Sequence, residues 1–177
     1  MNIHIIGGGN LGVAIALGIS KYTTGHNITI TRRNTESIEY LTQKGITVSS
    51  DNTHQIQKAD LVILTIKPYQ TTTVLSEITP LISGKTIASA VSGMTIENLQ
   101  IATQNSCNIV RIMPNIAIQF GESATCISFP EKEKATTQPA IDLFQKLGTA
   151  IVIEEKLMDA ATVLGACGTA YALRYIR

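Results

Sequence analysis

Hydrophobic residues fall along this chain in short β-branched runs, separated by amphipathic stretches and by breaks marked with glycine or proline. That is the pattern of a parallel sheet whose strands alternate with helices. Eight runs read as strands: residues 3–6, 28–31, 46–48, 61–66, 86–91, 108–112, 124–129 and 150–153. The fourth is apolar almost throughout, as a central strand covered on both faces should be. Helical spacing predicts helices over 10–20, through Ile38 and Leu41 to a stop at Gly45, from Pro68 towards Leu81, over 95–103 and over 134–147. The expected fold class is α/β: a doubly wound, mainly parallel sheet of up to eight strands, followed by one long apolar helix.

That last helix breaks the alternation. Over 157–176, Leu157, Met158, Val163, Leu164, Tyr171, Leu173 and Ile176, with several alanines, surround most of a helix, and a helix apolar on nearly all sides has to be buried. Either a partner subunit covers it or the chain is the front part of a longer protein. The sequence thus divides into a sheet domain over 1–154 and a helical segment over 155–177.

Composition narrows the function classes. The 177 residues suit one domain, or one with a fragment of a second. With 44% hydrophobic and 15% charged residues, a sizeable core is expected. Fourteen basic against 13 acidic residues give a net charge of +1 without a basic stripe, which argues against nucleic acid as a partner. Cys107, Cys126 and Cys167 are odd in number and widely spaced, matching neither a disulfide framework nor a zinc site, so reduced, buried thiols and no metal are expected. No signal-peptide pattern opens the chain and no run reaches the length of a membrane span, which points to a soluble, cytoplasmic protein.

Gly7, Gly9 and Gly12 form G-x-G-x-x-G between the first strand and the first helix. The first glycine allows the tight turn, the second lets a pyrophosphate reach the backbone, and the third lets helix and strand pack closely. Strand, motif, helix and second strand follow in the required order, so the domain reads as Rossmann-like and dinucleotide-binding. A carboxylate at the end of the second strand would favour NAD, but the chain there reads Thr31-Arg32-Arg33-Asn34. Guanidinium groups suit a 2′-phosphate, so NADPH (or NADP+) is the expected cofactor. Lys67-Pro68 and Ser92-Gly93 end the fourth and fifth strands, where open α/β sheets bind ligands. Arg111 precedes the loop Met113-Pro114-Asn115; it reads either as functional or, preferably, as a buried arginine tying down loop carbonyls. His4, His26 and His54 show no relay spacing, so no catalytic histidine is assigned. Glu131-Lys132-Glu133-Lys134 reads as a solvated face.

Five segments in order resemble one family, the pyrroline-5-carboxylate reductases: IIGGGNLG, LVILTIKPYQ, TIASAVSGMTIENL, NIVRIMPNIAIQFGES and MDAATVLGACGTAY. The resemblance implies NADPH-dependent reduction of 1-pyrroline-5-carboxylate to L-proline, by hydride transfer to the imine carbon. It implies cofactor contacts at Gly7, Gly8, Gly9, Asn10, Leu11 and Gly12, at Thr31, Arg32 and Arg33, at Asn52, at Ile66, Lys67 and Pro68, and at Ser92. It places Met113, Pro114 and Asn115 beside the nicotinamide. It further implies a homodimer or higher homo-oligomer, with 155–177 as the first helix of a helical dimerisation domain. Two departures fall near the imino acid site: Asn115-Ile116-Ala117 stands for N-T-P, and Gly165-Ala166-Cys167-Gly168-Thr169 for S-G-S-G-P. The family's substrate-carboxylate segment and candidate proton donor have no counterpart in these residues, so the catalytic residue is left unnamed. Two alternatives stay open: an NADP(H)-binding module or fragment without turnover, and a deazaflavin-linked NADP reductase, which shares the glycine motif but not the K-P and M-P-N pair together.

Overall fold

All eight apolar runs become strands of one sheet in the computed structural model, which describes residues 1–176. Arg177, the end of the expected helical segment, lies outside the described residues, as do the side chains of Ala166 and Thr169. The strands are β1 (Asn2–Ile6), β2 (Asn27–Thr31), β3 (Thr47–Ser49), β4 (Leu61–Leu64), β5 (Thr86–Ser89), β6 (Asn108–Met113), β7 (Ser123–Ser128) and β8 (Gly148–Val152). Their order is β3-β2-β1-β4-β5-β6-β7-β8. Strands β3 to β6 across that order are parallel, β7 is antiparallel to β6, and β8 is parallel to β7. The order reverses at β1, which lies between β2 and β4, and a doubly wound sheet opens its ligand crevice at such a point.

Helices α1 (Asn10–Tyr22) and α4 (Lys134–Gln145) cover one face; α2 (Thr71–Ile78) and α3 (Ile96–Ala102) cover the other. Within β4, Leu61 and Ile63 join the core under α1 and α4, whereas Val62 and Leu64 join the core under α2 and α3. A strand whose alternate residues both meet a helix layer has to be apolar throughout.

Several elements differ from expectation. The segment through Ile38 and Leu41 is a 3₁₀ helix, Glu36–Lys44, rather than an α-helix. Its two buried apolar residues stand three apart, which a three-residue turn aligns on one face. Gly45 ends it in the left-handed region, φ 75°. The helix expected from Pro68 to Leu81 is α2 flanked by 3₁₀ turns at Pro68–Gln70 and Thr79–Leu81, each opened by a proline at its first or second position. Cys107 is buried, but Cys126 is half-buried and Cys167 exposed.

The expected single helix over 157–176 is three pieces: α5 (Met158–Ala161), a π-helical turn Thr162–Cys167, and α6 (Gly168–Ile176). Thr162 Oγ1 donates to the Met158 carbonyl at 2.8 Å, competing for a helical acceptor, and Gly165 and Gly168 are weak helix formers. Nor does this chain bury the segment. Met158 is fully buried, but Val163, Leu164, Tyr171, Leu173, Tyr175 and Ile176 are all exposed, Tyr175 at 96%.

Candidate functional site

The carboxyl ends of β1, β2 and β4 build a glycine cradle. Gly7 and Gly8 N–H groups both donate to the Thr31 carbonyl, at 3.1 and 2.8 Å, which turns the chain sharply out of β1. Gly7 has φ 112°, and a Cβ there would lie 2.7 Å from the Thr65 carbonyl oxygen. At Gly12 a Cβ would lie 2.0 Å from the Gly7 oxygen, so only glycine lets α1 approach β1 this closely. Around Gly9 a Cβ would meet nothing within 4 Å. Two glycines therefore serve the fold, while the third leaves open space above the first turn of α1. That turn carries no acidic residue and no side-chain cap, so its amides are available to an anion.

This space belongs to a cavity of about 630 Å³ lined by Gly7, Gly8, Gly9, Thr31, Arg32, Arg33, Asn34, Asn52, Thr65, Ile66, Lys67 and Gln70, with Ile6 and Val74. Nine of the residues expected from sequence thus meet in one place. Arg32 Nη1 donates to the Gly8 carbonyl at 2.8 Å, so this guanidinium is already committed to the loop, whereas Arg33 and Asn34 are exposed beside it. Asn52 accepts from Thr31 Oγ1 at 2.7 Å and donates to Glu77 Oε2 at 3.1 Å, which fixes its amide. Thr65 Oγ1 donates to the Gly7 carbonyl at 2.7 Å, and Gln70 Oε1 accepts from Lys67 N–H at 3.1 Å. Outside this cavity, His4 is buried in β1 beside a separate hollow lined by Asn2, Thr29, Thr47 and Gln55, and its Nε2 has no hydrogen-bond partner among the described residues. Burial lowers its pKa to about 4, against the opposing pull of the Asn52 backbone.

Other expected residues lie outside this cavity. Asn10 lines an adjacent hollow of about 460 Å³ with Gly8, Gly9, Arg32 and Tyr40. Leu11 is half-buried against the core, Gly12 is packed on Gly7, and Pro68 is an exposed turn residue. Ser92 is exposed just after β5, while Met113 and Pro114 are buried at the end of β6. Asn115 caps the turn Ile116–Phe120 by accepting from Ala117 N–H at 3.0 Å, donates its own N–H to Ser123 Oγ at 3.3 Å, and reaches the Gly165 carbonyl at 3.5 Å.

Arg111 is buried as expected, and among the described residues its bond is to a carboxylate rather than to a loop carbonyl: its Nη1 lies 2.8 Å from Glu155 Oε1. Glu133 is likewise no part of a solvated face. Its carboxylate accepts from Gln100 Nε2 at 3.1 Å and from Ile109 N–H at 2.7 Å, pinning α3 and the start of β6 to the turn before α4. Thr65, Gln70, Glu77 and Glu155 were not singled out from sequence. Gln70, three residues after Lys67 in a proline turn, carried a local capping signal; Glu77 and Glu155 act across long sequence separations and carried none. Among the described residues no His, Cys, Asp and Glu cluster could hold a metal ion, and no helix is long and apolar enough to cross a membrane.

Comparison with known proteins agrees with this geometry. Residues 2–93 match the family described as NADP oxidoreductase, coenzyme F420-dependent. Pyrroline-5-carboxylate reductase 2 of Dictyostelium discoideum is 37% identical over 99% of this chain. The chain spans 65% of that relative's length. A crystal structure of the Plasmodium falciparum pyrroline carboxylate reductase with NADP bound superposes with a TM-score of 0.88 at 25% identity, covering 99% of this chain and 66% of that one. The 1-pyrroline-5-carboxylate reductase of Streptococcus pyogenes gives 0.80 at 30% identity, over 99% and 67%. The chain belongs to the family of NADP oxidoreductases described as coenzyme F420-dependent and, matched over 99% of its length rather than over residues 2–93 alone, to the pyrroline-5-carboxylate reductases.

Proposed function

We propose that this chain binds NADPH and serves the reduction of 1-pyrroline-5-carboxylate to L-proline. The observation that carries the reading is the cradle itself: open space at Gly9 over the uncapped first turn of α1, with two arginines and no carboxylate at the end of β2. The pyrophosphate would sit on the amides of Gly8 to Leu11, the 2′-phosphate beside Arg33 and the free nitrogens of Arg32, and the adenosine ribose near Asn52 and Thr31. Ile66, Lys67 and Pro68, then Ser92 and Met113 to Asn115, would carry the site along the sheet edge towards the nicotinamide. The cofactor supplies hydride to the C=N carbon when bound; the protein orients the ring, excludes water and supports the protonated imine.

The assembly belongs to the same proposal. Residues 1–154 form the NADP-binding unit, and 155–177 the first helix of a helical domain through which two or more copies associate; the exposed apolar tail supports this. Three unpaired thiols and a biosynthetic role suit the cytoplasm. A second reading, cofactor binding without turnover by these residues alone, is favoured by the burial of Met113 and Pro114 and by the 65% span.

Fluorescence titration with NADPH and NADH, together with NADPH oxidation in the presence of the imino acid, tests these readings. Preferential NADPH binding and proline formation are expected. Binding without turnover supports the second reading, and equal affinity for the two cofactors overturns the assignment of Arg32 and Arg33.

A further inference from the structure

One carboxylate oxygen gathers three parts of the molecule. Glu155 Oε1 accepts from Arg111 Nη1 at 2.8 Å and from Ile96 N–H at 2.6 Å. Arg111 lies in β6, two residues before Met113. Ile96 opens α3, at the end of the loop that begins with Ser92. Glu155 begins the 3₁₀ turn Glu155–Leu157 that leads to the buried Met158.

The amide at the start of α3 does not need this carboxylate for local reasons. The first turn of α3 already has a cap, since Thr95 Oγ1 accepts from Asn98 N–H at 3.1 Å. Arg111, 5% exposed, does need a counter-charge, and Glu155 supplies it. Glu154 faces outward instead and pairs with Lys156 at 2.6 Å. Sharing a single oxygen between a side chain of β6 and a backbone amide of α3 fixes distances, which neutralisation alone does not require.

We propose that Glu155 is a positioning residue for the substrate end of the site: it holds the end of β6, the loop 92–95 and the root of the tail in one geometry, and so sets where Ser92 and Met113 to Asn115 stand. The contact of Asn115 Nδ2 with the Gly165 carbonyl, 3.5 Å, is a second link between that loop and the tail. The proposal rests on the reductase reading of the site. The glycine cradle is tied by separate bonds from Thr31, Arg32 and Thr65, so the adenosine end does not depend on Glu155.

The test compares Glu155→Ala with Glu155→Gln in the full-length protein, below the unfolding temperature of each. Gln keeps an oxygen that can accept from both donors but removes the charge. Positioning predicts that Glu155→Ala raises the KM for the imino acid and lowers kcat, each about tenfold, while NADPH affinity stays within about twofold; Glu155→Gln should stay within about threefold of the parent in every constant. Equal losses in the two variants, or a loss of NADPH affinity matching the loss of turnover, overturn the proposal. Amide hydrogen exchange decides the matter even if the parent shows no imine reduction, which would refute the reductase reading alone. Faster exchange in 92–97, 111–116 and 156–165 together in Glu155→Ala, reversed in Glu155→Gln, supports the proposal, and exchange unchanged in any one of the three segments overturns it.

Discussion

The glycine cradle and the tail after β8 are both rich in glycine and apolar residues, yet they behave as opposites. In the cradle nearly every group finds its partner within the chain: Gly7 and Gly8 amides on Thr31, Thr65 on Gly7, Arg32 on Gly8, Asn52 between Thr31 and Glu77. The tail leaves Leu164, Tyr171, Leu173 and Ile176 in solvent and bends through a π turn. The cradle's loop is tied together within the chain, whereas the tail's apolar side chains are left exposed. Similar composition thus says little about role; what matters is whether the partners are local.

The sharpest way to break this comparison is within the cradle. Gly9→Val should abolish NADPH binding, a loss of at least 100-fold, while leaving the fold intact, because its side chain enters the open space proposed for the pyrophosphate. Gly12→Ala should instead cost about 3 kcal/mol of stability, since a Cβ would collide with the Gly7 carbonyl. Calorimetry and cofactor titration on both variants separate the two roles; comparable stabilities would overturn them.

In the tail, Leu164→Asp with Tyr171→Asp should weaken the proposed self-association by roughly 100-fold, because two charges would enter the proposed interface. Light scattering over a concentration series reads this. A parent chain that stays monomeric at high concentration would refute an interface there.

His4 tests how dry the interior around β1 is. Its native pKa, about 4, lies below the unfolded value of 6.5, so the unfolded chain takes up the proton first. Its contribution is fully present above pH 6.5 and is lost as pH falls towards 4, by about 3 kcal/mol at 1.4 kcal/mol per unit. Urea unfolding of the parent and of His4→Phe at pH 7.5 and pH 4.5 isolates the term: the parent should lose more stability by that amount.

The smallest effect separates the two arginines. Arg33→Ala should weaken NADPH binding by about 2 kcal/mol and leave NADH nearly untouched. Arg32→Ala should weaken both cofactors, because it also releases the Gly8 carbonyl. Identical selectivity losses would mean that the bond to Gly8 yields when the phosphate binds.

The strands and the cradle were legible in sequence because each rests on local pattern. Leu61 to Leu64 can only be a central strand, and Gly7, Gly9 and Gly12 stand at a spacing that few other structures need. Element types were less legible: nothing in 36–44 distinguishes an α-helix from a 3₁₀ helix beyond the three-residue spacing of Ile38 and Leu41. Least legible were the long-range carboxylates. Glu133 looked like one charge in a solvated run until Ile109 N–H and Gln100 met it, and Glu155 became significant only when Arg111 and Ile96 arrived from 44 and 59 residues away.

The reversal of β7 shapes how the loop after β6 can evolve. Between parallel strands a crossover helix carries the chain away, and the loop at the ligand edge hangs from one strand only. Because β7 runs against β6, residues 114–122 leave the sheet and re-enter it at the same edge, with Asn115 clamped to Ser123 across the gap. The segment is thus held at both ends, by β6 and by β7. Its shape can be retuned by exchanging side chains such as Ile116 and Ala117, whereas an insertion would disturb the bond between Asn115 and Ser123 that closes it.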